Sequence, residues 1–142
     1  MKVKPKLLLM SHGQMAQETL ASAKMIVGDL AQADVVSMNA EDGLAGTKKK
    51  LHAILAQQGQ QPILIIADLK GGTPCNVAMM AMGSYPTIRV LTGLNLAMVI
   101  EACVSQTESI DELAAYLQTI GQQAVTSIQL ENDAEDDEEI EL

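Results

Sequence analysis

The chain has no Phe, no Trp and only two Tyr, so its core has to be built from aliphatic side chains and from its nine methionines. The same lack removes the aromatic platforms on which nucleobases stack. With Lys48-Lys49-Lys50 as the one basic cluster, nucleic-acid binding is disfavoured. Arginine is nearly missing too: Arg89 is the only one, and it belongs to a short apolar run that reads as a strand. Cysteine is scarce, and Cys75 and Cys103 share no close spacing, which predicts two free thiols in a reduced, cytoplasmic protein. No apolar run approaches the ~20 residues needed to span a bilayer, and no secretory or transit segment precedes the first strand. Neither a P-loop nor a G-x-G-x-x-G run follows a predicted strand, so nucleotide and dinucleotide binding are disfavoured.

Acidic residues are present in excess, but locally. The net charge is −9, yet residues 131–142 carry eight acids and no base, while residues 1–130 carry nine bases against ten acids. The chain therefore reads as one nearly neutral domain, residues 1–130, followed by an acidic tail, 131–142, whose composition predicts a solvated, disordered segment. A length of 142 residues suits one domain with a sizeable core.

Apolar runs alternate with helical periodicity, the pattern of an α/β fold: a doubly wound, mainly parallel open sheet with helices on both faces. Strands are expected near Lys6–Ser11, Val35–Met38, Ile63–Ala67 and Thr87–Leu91. Between the first two, Ala16, Leu20, Ala23 and Val27 share a helical face that Gly28 ends. A second helix near Leu44–Gln57 places Leu44, Leu51, Ile54 and Leu55 on one stripe. Thr73-Pro74 reads as an N-cap followed by proline at the first helical position, and a helix is expected from about Leu96 to Val104. Ser109-Ile110-Asp111-Glu112 reads as a capping box opening the last helix. Val125–Leu130 alternates weakly and suits an edge strand.

Two strand ends carry the chemistry. The first runs through Leu9-Met10-Ser11 into His12-Gly13, and the third runs into Asp68-Leu69-Lys70-Gly71-Gly72-Thr73-Pro74. In an open parallel sheet both fall at the carboxyl edge, where such folds hold their ligands. A carboxylate that accepts the proton of one imidazole nitrogen sets the tautomer and leaves the other nitrogen as a nucleophile, so Asp68 is the expected partner of His12. The Gly71-Gly72-Thr73 turn and the following helix start offer N–H groups and a partial positive charge to an anion. The Thr73 hydroxyl adds a donor, and Lys70 is within reach by sequence. The arrangement suits a phosphoryl group without naming its source.

Ser11-His12-Gly13, the run from Asp68 to Asn76, and Thr92-Gly93-Leu94-Asn95-Leu96-Ala97-Met98-Val99-Ile100-Glu101 together resemble the mannose-family IIA component of the bacterial sugar phosphotransferase system, in register over residues 6 to about 130. The resemblance implies a phosphocarrier that takes a phosphoryl group from HPr on His12, at Nε2, with Asp68 orienting Nδ1. Gly13, Gly71, Gly72 and Thr73 would shape the phosphate site, Thr73 standing where many relatives have serine. The group would pass to a IIB component, here expected as a separate polypeptide, and then to sugar entering through the membrane IIC/IID permease. The resemblance also implies a homodimer in which Val125–Leu130 pairs with the partner subunit. It calls for no metal and no organic cofactor, because the donor is itself a phosphohistidine. With Arg89 on a strand, neutralisation of the phosphate falls to backbone dipoles, Thr73 and Lys70.

Three other functions stay open on the residues alone: the phosphotransfer subunit of a dihydroxyacetone kinase, a non-enzymatic regulatory module, and a flavodoxin-like flavin carrier. The Gly71–Asn76 run favours the mannose-type transporters over the kinase subunit. His52 reads as a surface residue, Cys75 as an incidental thiol at a helix start, and the methionines at 79, 80, 82 and 98 as packing. Met10 and Met15, flanking His12, are candidates for an apolar docking rim.

Overall fold

The computed structural model describes residues 3–130, so the acidic tail, residues 131–142, lies outside the described residues. The chain runs β1 (Lys6–His12), α1 (Met15–Val27), β2 (Asp34–Met38), α2 (Gly43–Gln58), β3 (Ile63–Ala67), α3 (Thr73–Met82), β4 (Ile88–Thr92), α4 (Leu96–Val104) and α5 (Ile110–Gln123), with a 3₁₀ turn at Gly28–Leu30. The four strands lie in the order β2-β1-β3-β4. Every pairing is parallel: Leu9 sits opposite Val35 of β2 and Ile66 of β3, and Ile66 opposite Leu91 of β4.

The two central strands are apolar because both their faces are covered. All five residues of β3 are buried. Alternation divides β1: Leu9 packs with Ala16, Leu20 and Ala23 of α1 and with residues of α4 and α5, whereas Leu8 and Met10 pack with Leu51 and Leu55 of α2 and with Val77 and Ala78 of α3. Small residues on α1, Ala16 and Ala23, bring that helix close to the sheet. The core contains no aromatic side chain apart from the partly buried Tyr85 at its margin.

The helix starts and stripes differ in places from the periodicity. Gly72, not Thr73, holds the N-cap position of α3, so Pro74 sits in the second place of the helix and the Thr73 hydroxyl makes no cap. Leu44 is exposed, and Thr47 takes its place on the buried stripe of α2. Its hydroxyl is tolerated there because it donates to Gly43 O at 2.7 Å. Ser109 caps α5 as expected, accepting the Glu112 N–H at 3.3 Å. Val125–Leu130 forms no strand within this chain. It follows α5 with its side chains in solvent, since a strand exists only where another strand takes its backbone hydrogen bonds.

The β2–α2 loop is clamped by charge. Lys50 donates to Asp42 Oδ2 at 2.7 Å and to Ser37 O at 2.8 Å, and Asp42 also receives the Asn39 N–H. The Lys50 hydrogen bond, seconded by that N–H, holds the Asp42 carboxyl below its ordinary value. A depressed carboxyl contributes at neutral pH and releases as acidification carries the solution through its titration.

Replacing Leu9 by alanine empties the point where β1 meets α1, α4 and β3. Urea denaturation of Leu9→Ala is expected to show a loss of about 2–5 kcal/mol. A loss below ~1 kcal/mol would mean that the layer between sheet and α1 is loosely packed.

Candidate active site

The chain winds from β1 outward to β2 and then returns to the other side of β1, so β1 and β3 are neighbours whose following loops part in opposite directions. Ligand sites of parallel sheets form at such a division. Met10 pairs with Ala67, and the Asp68 N–H continues the ladder to Met10 O at 3.1 Å. That register carries His12 and Asp68 past the sheet side by side.

Asp68 Oδ2 lies 2.8 Å from His12 Nδ1 and also accepts the His12 backbone N–H at 2.9 Å. One carboxylate oxygen therefore orients both the peptide and the ring of the same residue. An ionised carboxylate only accepts, so this contact selects the Nδ1–H tautomer of the neutral ring, the one in which Nε2 keeps its lone pair. The Asp68 side chain is 9% exposed and the His12 side chain 44%, so the carboxylate is sheltered and the ring is open to solvent. Asp68 Oδ1 is buried without a hydrogen-bond partner among the described residues.

The glycines predicted at this edge serve in different ways. Gly13 turns the chain at φ +53° and donates its N–H to Met38 O at 2.8 Å, tying the His12 loop to β2. Gly71 adopts φ +85°, a conformation that favours glycine, and its carbonyl receives Asn76 Nδ2 at 3.3 Å. Gly72 has an ordinary φ of −77° and donates its N–H to Leu69 O at 3.1 Å. Its contribution is space: a Cβ there would stand 2.7 Å from His12 Cε1 and 3.4 Å from Nε2. The ring thus rests on the glycine that begins α3. The first-turn N–H groups of that helix have no intrahelical acceptor, and Pro74 has none to offer. Thr73, half-buried, opens the helix next to the ring.

Other expectations separate at this point. Lys70 is exposed and lines a groove toward Met79, Met82 and Thr92, on the β4 side of the loop. Met10 is fully buried and cannot belong to a docking rim, because alternation turns it into the layer under α3. Met15 is exposed, as is Leu69, which the sequence reading passed over. Arg89 binds Asp111 at 2.8 Å and the carbonyls of Pro86 and Ile88, at the opposite end of the sheet from His12. His52 is exposed on α2. Cys75 and Cys103 are free and buried, and burial pushes the Cys103 thiol up from its ordinary value. Among the described residues no three His, Cys, Asp or Glu side chains converge as metal ligands. Ser11 and Asn76, which hold the two loops, were legible only as members of motifs; the glutamine at the N-cap position of α1, with no capping side chain, was the available signal for Ser11.

Comparison with known proteins places this geometry in company. The sequence profile of the family described as the PTS system fructose IIA component matches residues 6–118. A PTS system sorbose-specific EIIA component from Klebsiella pneumoniae is 32% identical over 114 residues, covering 80% of this chain and 84% of the relative. A PTS system mannose-specific EIIAB component from Escherichia coli strain K12 is 25% identical over 121 residues, 83% of this chain and 38% of that longer protein. Among solved structures, a mannose/sorbose specific IIA subunit of the phosphotransferase system from Enterococcus faecalis has 68% identity and a TM-score of 0.91, covering 92% of this chain and 99% of that one.

Gly72→Ala is expected to leave the backbone intact and push the His12 ring off Asp68. Ring ¹⁵N shifts would then move from a single Nδ1–H tautomer toward a mixture. An unchanged ring spectrum would mean that the ring can shift past the added methyl group without leaving Asp68.

Proposed function

The chain belongs to the EIIA-man family, as a mannose-family IIA component of a sugar phosphotransferase system, and from that premise we propose that His12 accepts a phosphoryl group from phospho-HPr and passes it to a IIB component. The observation that carries this reading is the 2.8 Å contact between His12 Nδ1 and Asp68 Oδ2, with Nε2 left open above Gly72.

The step follows from that geometry. The Nε2 lone pair attacks phosphorus, the donor's N–P bond breaks, and its electron pair returns to the donor imidazole nitrogen. His12 becomes cationic as the N–P bond forms, and the Asp68 carboxylate, already on Nδ1–H, stabilises that charge without taking the proton. The phosphoryl oxygens lie toward Thr73 and the start of α3, where the Thr73 hydroxyl, the free N–H groups and the helix dipole meet negative charge. Gly13 and Gly71 shape the turns, and Gly72 admits the ring. Transfer to IIB is the reverse displacement. The chain contributes positioning and fixed dipoles, and the phosphohistidine donor supplies the group, so the step calls for no metal or organic cofactor. In this reading residues 1–130 form the cytoplasmic phosphocarrier domain and residues 131–142 an acidic tail.

We further read the chain as a homodimer. Among the described residues β4 has a strand neighbour on one side only, and its flank is a groove of about 660 Å³ lined in part by Met79, Met82, Val90 and Leu91. Val125, Ile128 and Leu130 are 84–95% exposed just beyond α5. Asn95 Nδ2 anchors the last turn of that helix through Gly121 O at 3.3 Å, giving the segment a fixed point of departure. An open edge strand and an apolar segment of strand-like alternation are complementary between copies.

Incubation with Enzyme I, HPr and phosphoenolpyruvate is expected to label the wild type with an acid-labile, base-stable phosphate and to leave His12→Ala unlabelled. Asp68→Asn should fold and label about 10²-fold more slowly, since an amide stabilises the cationic ring less. An unlabelled wild type beside a labelled IIA control overturns the reading, and an unslowed Asp68→Asn removes Asp68 from it. Light scattering should report a dimer for the full chain and for the chain cut after Leu130, and a monomer for the chain cut after Ala124. A dimer in the last case refutes pairing through Val125–Leu130.

A further inference from the structure

Helix α1 starts almost immediately after His12, and it starts without a conventional cap. Gln14 occupies the N-cap position and its side chain accepts nothing. The Ala16 N–H, in the first turn, goes instead to Ser11 Oγ at 2.7 Å, five residues back on β1. This hydroxyl does from the strand what a capping serine does from the helix end. Its own proton is directed to Gly13 O at 3.4 Å. Ser11 is fully buried, one of two polar residues so placed among the described residues, and Ala16 is buried with it. Alternation puts Ser11 on the α1 side of β1, beyond Leu9, and His12 on the α3 side, beyond Met10.

The Ser11–Ala16 bond thus closes a short loop of chain that contains His12 and Gly13. Three tethers hold that loop: Ala16 N–H to Ser11 Oγ, Gly13 N–H to Met38 O, and His12 N–H to Asp68 Oδ2. The last shares its acceptor with the ring nitrogen. Any rotation of the His12 peptide that lengthens the backbone contact therefore displaces the one oxygen that also fixes the tautomer. Without the hydroxyl, the Ala16 N–H is a buried donor with no partner, and the turn relaxes until it finds one.

We propose that Ser11 is a positioning residue for phosphoryl transfer: by anchoring the start of α1 to the end of β1, its hydroxyl keeps the His12 peptide on Asp68 Oδ2 and so keeps that oxygen on Nδ1. Ser11 faces away from the ring and reaches the site only through its bonds to the backbone of Gly13 and Ala16. The role in transfer rests on the reading of His12 as the phosphoryl acceptor; the role in setting the tautomer does not.

The full-length protein with Ser11→Ala, Ser11→Cys and Ser11→Thr separates the outcomes. Thr keeps the hydroxyl, whereas Cys keeps the volume and offers a poor acceptor. Ring ¹⁵N spectra, which need no phosphoryl donor, should show a single Nδ1–H tautomer in wild type and Thr and a mixture in Ala and Cys. Labelling through phospho-HPr should show kcat lower by roughly tenfold in Ala and Cys, the loss of about one hydrogen bond's orientation, with KM for the donor unchanged. If the alanine variant does not fold, the near-isosteric cysteine variant carries the test. A folded Ser11→Cys with the wild-type tautomer and wild-type kcat overturns the proposal. A wild type that shows the single tautomer but never labels would instead sink the phosphocarrier reading and leave the effect of Ser11 on the ring standing.

Discussion

The site depends on one oxygen atom. Asp68 Oδ2 takes the backbone N–H and faces the ring Nδ1 of the same histidine, at 2.9 and 2.8 Å. A side chain held through its ring alone can still pivot with its peptide, and a peptide held alone leaves the ring free about two torsions. With both contacts on one acceptor, the position of the His12 peptide and the orientation of its ring are fixed together. The acceptor in turn is steady because its carboxylate is sheltered and its own N–H extends the β1–β3 ladder.

That dual contact requires the parallel pairing beneath it. The Met10–Ala67 register brings the two strand ends level, and a slip by one residue would turn every side chain of β1 to the opposite layer. The register is held by the apolar layers on both faces: Leu9 against α1 on one side, Leu8 and Met10 against α2 and α3 on the other. Aliphatic residues suffice for this because the small side chains of α1 and α3 let the helices approach closely. The same packing leaves β4 with an open flank, where an exposed C-terminal segment and a partly apolar groove lie near each other without pairing inside one chain.

The α3 end of the candidate site follows from a division of labour among its glycines. Gly71 provides a backbone angle, Gly72 provides room for an imidazole, and α3 provides a helix start with unspent N–H groups. At the second helical position of α1 the N–H goes to Ser11, and at that position α3 has Pro74, which carries no N–H. Of the two helices that begin beside His12, α3 is the one in contact with the ring, at Gly72.

Much of this was written in the order of residues. Alternating apolar runs and helical periodicity dictate a parallel α/β sheet, because buried strands and amphipathic helices have few other ways to cover one another. A histidine and an aspartate at the ends of two such strands, before a Gly-Gly-Thr-Pro turn, mark the edge of the sheet at which the candidate site forms. Capping and partnership were not local. Gly72 rather than Thr73 begins α3, Thr47 rather than Leu44 is buried, Met10 is interior, and Val125–Leu130 forms no strand alone. These outcomes depend on how the elements pack against one another, which the spacing of residues within one element does not display. Spacing along the sequence determines which face a residue joins and which turn it makes possible; only the packed structure decides which oxygen meets which proton, because those distances are set by elements tens of residues apart.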